Sequence, residues 1–173
     1  MRWIALVVSL LVFGPAAGAA AQTKVDLELV LAVDASRSID GYEYRLQREG
    51  YARALRDPAV IRAITSGEYR RIALVYVEWA ASGQQAVLVD WAIIDGKAAA
   101  EKFAVALLAA PRRFYDATSV SGAIDFSAKL FGAKGVRGTR RVIDVSGDGP
   151  NNRGRRSSEA RDDAASRSTA SPS

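Results

Sequence analysis

Five oxygen-bearing side chains carry the chemistry this chain could do. Asp34, Ser36 and Ser38 stand two apart in Asp-Ala-Ser-Arg-Ser, and Thr118 and Asp148 lie far downstream. A spacing of two in a tight turn can aim three side chains at one point. Carboxylate and hydroxyl oxygens are the donor set of hard cations such as magnesium, manganese or calcium. Magnesium takes six oxygens at about 2.0–2.1 Å and keeps several waters, so a site built partly of protein suits it. Neutral hydroxyls fill coordination positions without adding negative charge. The ion then stays electrophilic and can accept a carboxylate from a partner. The same residue types are also favoured at helix starts and in turns where no metal is present. The five-residue loop alone fits both readings. Thr118 opening a helix and Asp148 following a strand add the oxygens that make a metal reading coherent.

Composition narrows the alternatives. The chain has 173 residues, 49% of them apolar and 25% charged, with no histidine and no cysteine. The length suits one α/β domain. Without histidine or cysteine there is no Ser-His or Cys-His catalytic pair, no disulfide, no thiolate nucleophile and no zinc-finger ligand set. A metal-dependent phosphohydrolase would also place an aspartate after the first strand. Here Ser36 stands where a second carboxylate would be needed, and no lysine follows in a phosphate-cradling glycine loop.

The elements that must position these residues are legible in the hydrophobic pattern. Val25 to Val33 alternates and then becomes continuously apolar, as a central parallel strand does. Helices are predicted from Gly41 to Leu55, capped by Asp40, and from Pro58 to Ile64. Arg71–Trp79 and Gln85–Ile93 read as strands whose short connection makes them antiparallel. Gly96–Ala110 and Ser119–Phe131 read as helices, with Thr118 or Ser119 at the second N-cap. Arg140–Ser146 reads as a fourth strand ending in the Gly147-Asp148-Gly149-Pro150 turn. This order predicts an α/β fold: a Rossmann-like, doubly wound, mostly parallel sheet with one antiparallel edge strand. In such a sheet the loops after the strands' carboxyl ends meet at the topological switch point. That is where Asp34, Ser36, Ser38 and Asp148 fall.

Both ends differ from the body. Residues 1–21 read as a cleavable signal peptide: Arg2, an apolar run from Trp3 to Phe13, a Gly14-Pro15 break, and Ala19-Ala20-Ala21 before Gln22. The run is shorter than the roughly 20 residues that span a bilayer. The expected location is therefore periplasmic or secreted, with no membrane span after cleavage. The net charge of +5 is a tail effect, since residues beyond Ala133 carry nine basic and five acidic side chains. No aromatic interleaving or basic helix face accompanies it, so a nucleic-acid partner is not expected. Gly154–Ser173 contains no Val, Ile, Leu, Phe, Trp or Tyr. It reads as a disordered tail from Arg153 onward, with a short helix over Ser157–Ala165 as the alternative.

Asp34-Ala-Ser-Arg-Ser, the downstream Thr118 and Ser-Gly-Asp148-Gly resemble the metal-ion-dependent adhesion site of von Willebrand factor type A (VWA) domains. Val77-Glu78-Trp79, Trp91-Ala-Ile-Ile and Arg140-Arg-Val-Ile-Asp-Val-Ser-Gly-Asp-Gly-Pro-Asn-Asn-Arg-Gly resemble an uncharacterised subfamily of exported bacterial proteins with that fold. The resemblance runs from about Val25 to Ala165. It implies a bound divalent cation, Mg2+ or else Mn2+ or Ca2+. Ser36, Ser38 and Thr118 would be direct hydroxyl ligands, and Asp34 and Asp148 would act largely through water. It implies a non-catalytic module that binds a protein ligand with an exposed carboxylate. It also implies a VWA-like domain over residues 22–152 that lacks the last strands of the family pattern. A truncated remnant with no function is the corresponding alternative.

Several residues allow two readings. Glu78-Trp79 is either a binding rim or a strand-end packing residue beside a solvated acid. Trp91 allows the same pair of readings. Asp144 inside a strand needs a partner, for which Arg140 and Arg141 are candidates. Asn151 and Asn152 either form a turn or approach the site. Arg153, Arg155 and Arg156 are either a solvated cluster or a surface for an acidic partner.

Overall fold

The computed structural model describes residues 22–147 and 149–169. The chain runs β1 (Thr23–Asp34), α1 (Gly41–Arg56), α2 (Pro58–Ile64), β2 (Ile72–Trp79), β3 (Gln85–Ile94), α3 (Lys97–Ala109), α4 (Val120–Ala128), β4 (Val136–Ser146) and α5 (Ser157–Thr169). The four strands form one sheet in the order β3-β2-β1-β4. β1 pairs parallel with both β2 and β4, and β3 runs antiparallel to β2 at the edge. This is the α/β, mostly parallel, doubly wound arrangement with one antiparallel edge strand that the sequence predicts.

The pattern of burial follows the pleat. On one face Leu31, Val33, Leu74 and Tyr76 pack against Leu55 of α1 and Phe103 and Leu107 of α3. On the other, Val30, Ala32, Val75, Val77 and Trp79 pack against Ala123 of α4. All eight residues of β2 are buried. A strand covered on both faces reads as a continuous apolar run for this reason. Asp40 caps α1, accepting from the Tyr42 and Glu43 amides at 2.7 and 2.8 Å, and the Glu43 carboxylate returns to the Asp40 amide. This reciprocal capping box fixes where the loop after β1 ends.

Three boundaries differ from the sequence prediction by three residues or more. β4 begins at Val136 rather than Arg140, because pairing with β1 starts at Thr23 and Val136. Arg137, Gly138 and Thr139 follow its first residue, and they hide the strand from a hydrophobicity pattern. Gly138 permits the approach: a Cβ there would sit 2.8 Å from the Glu28 backbone nitrogen. α4 stops at Ala128 rather than Phe131, and the chain turns through Gly132 at φ +73°. α5 extends past Ala165 to Thr169. Ala160 on α5 is fully buried, and Arg155 just before it bridges Asp125 of α4 and Asp163 of α5 at 2.7 and 2.6 Å. Arg155 is thus a clamp rather than a solvated side chain.

Among the described residues no strand pairs with the outer flank of β4. Asp144 on that strand is exposed and accepts a long hydrogen bond from the Tyr51 hydroxyl at 3.4 Å, not from an arginine. Arg141 instead faces Glu28, whose buried carboxylate also accepts the Gly132 and Gly138 amides at 2.8 Å each. Among the described residues no helix is long and apolar enough to cross a membrane. The segment read as a signal peptide lies outside the described residues.

Candidate metal centre

The loop after β1 turns tightly because Asp34 folds it. Asp34 is completely buried, and its Oδ1 accepts the Ser36 amide at 2.7 Å. The Ile39 amide then bonds back to the Ser36 carbonyl at 3.1 Å. Ala35, Ile39 and Tyr44 form a small buried cluster beneath the turn. The result brings the hydroxyls of Ser36, which is buried, and Ser38, which is exposed, to 3.1 Å. Adjacent ligands of an octahedron with 2.1 Å metal–oxygen bonds stand about 3.0 Å apart. A hydroxyl–hydroxyl hydrogen bond has nearly the same length. The pair therefore fits a magnesium-like ion without rearrangement and satisfies itself otherwise.

The second loop comes alongside through backbone bonds. The Arg37 amide donates to the Asp116 carbonyl at 2.7 Å, and the Ser119 amide donates to the Ala80 carbonyl at 2.8 Å. Ser119, not Thr118, caps α4: its hydroxyl accepts the Gly122 amide at 3.3 Å. Thr118 is left to line the cleft with Ser38.

The third loop is tied to the second. Asn152 accepts the Thr118 amide at 3.1 Å and returns its own amide to the Thr118 carbonyl at 3.1 Å. Asn151 accepts the Ser121 amide at 3.4 Å and donates to the Arg155 carbonyl at 2.7 Å. The two asparagines therefore approach the site as well as shaping the turn. Gly154 sits at φ +84°, where a Cβ would meet the Ser121 hydroxyl at 2.7 Å. Gly147 lies over the first loop, and a Cβ there would come within 3.0 Å of Asp34 Oδ2 and 3.2 Å of the Trp79 ring. Asp148, next to it, lies outside the described residues.

Arg37, Ser38, Asp116, Thr118, Gly149 and Arg153 line one cleft of about 410 Å³. Of the five residues singled out from sequence, Ser36 and Ser38 meet directly. Ser38 and Thr118 share the cleft, while Asp34 is buried behind the first loop, close to Gly147. Among the described residues no group of three or more carboxylates could hold a metal. Apart from Asp116, whose carboxylate already accepts from Gln84 and the Ala117 amide, the donors are hydroxyls with Asp34 behind them, a set suited to a hard cation held partly by water.

Behind the cleft is a buried polar network that sequence reasoning missed. The Arg112 Nη2 donates to the carbonyls of Ala35, Ser36 and Ile39 at 2.9–3.0 Å, and its Nε donates to the Phe114 carbonyl at 3.0 Å. The guanidinium lies 4.8 Å over the Tyr44 ring and 4.9 Å over the Tyr115 ring. Glu78 is fully buried rather than solvated. It accepts the Tyr44 hydroxyl at 2.6 Å and the amides of Arg113 and Phe114 at 2.6 and 2.8 Å. Arg48 reaches the Tyr44 hydroxyl at 3.3 Å and also donates to the Leu107 carbonyl. Burial, with the Glu78 carboxylate beside it, pushes the Tyr44 phenol well above its ordinary range. Trp79 is fully buried, so Glu78-Trp79 is no binding rim. A charged residue inside the apolar run Ile72–Trp79 was the one signal that a partner network existed.

Residues 24–170 match the family described as "Protein of unknown function (DUF1194)", and the chain belongs to that family. No curated protein sequence matches the chain. Among solved structures, proximal thread matrix protein 1 from the mussel byssus, in a form with a zinc-occupied MIDAS motif, superposes with a TM-score of 0.66. The identity is 12%, over 86% of this chain and 37% of that one. A second crystal form of the mussel protein gives a TM-score of 0.65 at the same identity and coverage. The vWF domain of the type V pili tip protein Mfa5 from Porphyromonas gingivalis gives 0.46 at 14% identity, over 76% of this chain and 40% of that one. The fold is VWA-like. The chain spans little more than a third of the mussel protein's length.

Proposed function

We propose that the chain is an exported, non-catalytic binding module that holds a divalent cation and uses it to grip a carboxylate on a protein partner. The observation that carries this reading is the paired Ser36 and Ser38 hydroxyls, 3.1 Å apart, with Ser38 lining the same cleft as Thr118. Ser36, Ser38 and Thr118 would hold the ion directly, and Asp34 and Asp148 would orient its waters. A magnesium ion bound there supplies an electrophilic coordination position for an outside oxygen. The chain's own residues supply rigidity: Arg112 fixes the first loop, Ser119 anchors the second, and Asn152 holds the third against it. The solved mussel structure with a metal in its MIDAS motif supports the reading by fold alone. Signal-directed export to the periplasm or beyond belongs to the same proposal, as does an acidic protein partner rather than nucleic acid.

The test is thermal unfolding followed by circular dichroism, with and without millimolar magnesium or manganese. A ligand at 100 times its dissociation constant adds roughly 2.7 kcal/mol to stability. Ser38 is exposed, so Ser38→Ala preserves the fold and removes one donor. The proposal expects the metal to raise the transition of the natural chain and to have little effect on Ser38→Ala and Thr118→Ala. Equal shifts in all three proteins would sink the assignment.

A further inference from the structure

We infer that the partner segment is polyacidic: one carboxylate reaches the metal cleft, and at least one more is taken by Arg37 and Arg153, which flank it. This deepens the proposed function and rests on its reading of the same cleft. Arg37 belongs to the first loop and Arg153 to the third. Each is pinned by its backbone to the second loop, Arg37 to the Asp116 carbonyl at 2.7 Å and Arg153 to the Thr118 carbonyl at 3.2 Å. Thr118 is thus bracketed, and both arginines line the cleft with it.

Both arginines are exposed, and among the described residues neither forms an ion pair. Among the described residues four other arginines form ion pairs, while exposed ones such as Arg45 and Arg62 form none, so what sets Arg37 and Arg153 apart is their place on the cleft. Arg56 pairs with Glu101, Arg141 with Glu28, Arg155 with Asp125 and Asp163, and Arg161 with Asp162. The one described acid in the cleft, Asp116, is already engaged by Gln84 Nε2 at 3.0 Å and by the Ala117 amide at 2.7 Å. Two guanidinium groups beside a cation site repel the cation. That arrangement becomes favourable when the ligand brings more negative charge than the ion alone can neutralise. Arginine also suits this task geometrically, since its fork binds a carboxylate through two parallel hydrogen bonds.

The test uses the full chain and two labelled peptides, hexaglutamate and an alanine-rich peptide with a single glutamate, read by fluorescence anisotropy in millimolar magnesium. Hexaglutamate is expected to bind more tightly. Each of Arg37→Gln and Arg153→Gln should weaken it about threefold to tenfold, the range for rim charges. The single-glutamate peptide should be nearly indifferent to both. Added salt should weaken hexaglutamate more than the single-glutamate peptide. Equal affinity for the two peptides, or a double variant that binds hexaglutamate unchanged, overturns the inference. So does inorganic polyphosphate competing as well as free hexaglutamate, which would mark a general anion patch. The failures are separable. If magnesium raises the unfolding transition but the hexaglutamate preference is missing, only this inference falls. If magnesium has no effect and the arginine-dependent preference persists, the metal reading falls and the acidic partner stands.

Discussion

Replacing Arg112 with alanine is the sharpest perturbation of the scaffold that holds the candidate site. Arg112 offers three N–H groups to four carbonyls, those of Ala35, Ser36, Ile39 and Phe114. Hydrogen bonds to a charged group contribute about 1.5–3 kcal/mol each, and partial rehydration of the carbonyls reduces the total. Stacking on Tyr44 and Tyr115 adds about 0.5–1 kcal/mol per ring. The expected loss is about 3–5 kcal/mol against a typical total of about 5–15. For a chain of this size that lowers the unfolding midpoint by roughly 10 °C. Arg112→Lys keeps the charge but not the fork, so it should fall between the two. Thermal unfolding by circular dichroism reads all three proteins. Addition of magnesium should then raise the midpoint of Arg112→Ala less than that of the natural chain, because the Ser36–Ser38 turn has lost its brace. A midpoint for Arg112→Ala within 2 °C of the natural chain would refute the reasoning.

Other consequences follow from the same contacts. Glu78→Ala leaves the Tyr44 hydroxyl and the amides of Arg113 and Phe114 without their acceptor, so urea unfolding should show a loss of about 3–5 kcal/mol; a loss under 1 kcal/mol would contradict the network. Gly154→Ala forces a positive φ and a clash with the Ser121 hydroxyl, costing about 1–2 kcal/mol by the same assay. An unchanged denaturation midpoint would show that the third loop is not held as described. Acid sensitivity has a defined sign. The Tyr69 amide holds the Asp26 carboxyl below its ordinary 3.8, Lys134 does the same for Asp90, and Arg56 holds Glu101 below 4.5. Their folded-state values are depressed, so the stability they add is present above about pH 4.5 and fades as the pH falls through those lowered values. Asp90 and Glu101 are exposed and Asp26 is half-buried, so the effect is modest. Asp26→Asn should flatten the acid limb of a stability–pH curve, and an unchanged limb would remove Asp26 from that role.

The sheet was legible because its signals are local. The apolar runs of β1 and β2 and the short β2–β3 connection carry the order and the antiparallel edge. The Asp34-x-Ser-x-Ser loop was legible because type and spacing stand together in five residues. What escaped depended on distant residues meeting. The stretch Val136–Thr139, broken by Arg137 and Gly138, extends β4 only through its parallel pairing with residues 23–25 of β1. Glu78 looks solvated at a strand end until Tyr44, 34 residues earlier, and Arg113, 35 residues later, close over it. Arg112 follows Pro111 in an unpatterned stretch, and no spacing rule links it to the carbonyls of residues 35–39. Asn151 and Asn152 read as turn formers, and only the tertiary fold shows that they reach Thr118 and Ser121. Arg155 reads as part of a polar tail, and its role appears only when α5 packs on α4.

The most direct test of the central claim is a manganese titration of the full chain, with free ion followed by electron paramagnetic resonance. The account predicts one bound ion per chain, displaced by magnesium and lost in both Ser38→Ala and Thr118→Ala. Those variants must still unfold at temperatures close to that of the natural chain. Binding that survives both substitutions, or no binding by a folded natural chain, would contradict a cation site built from these loops.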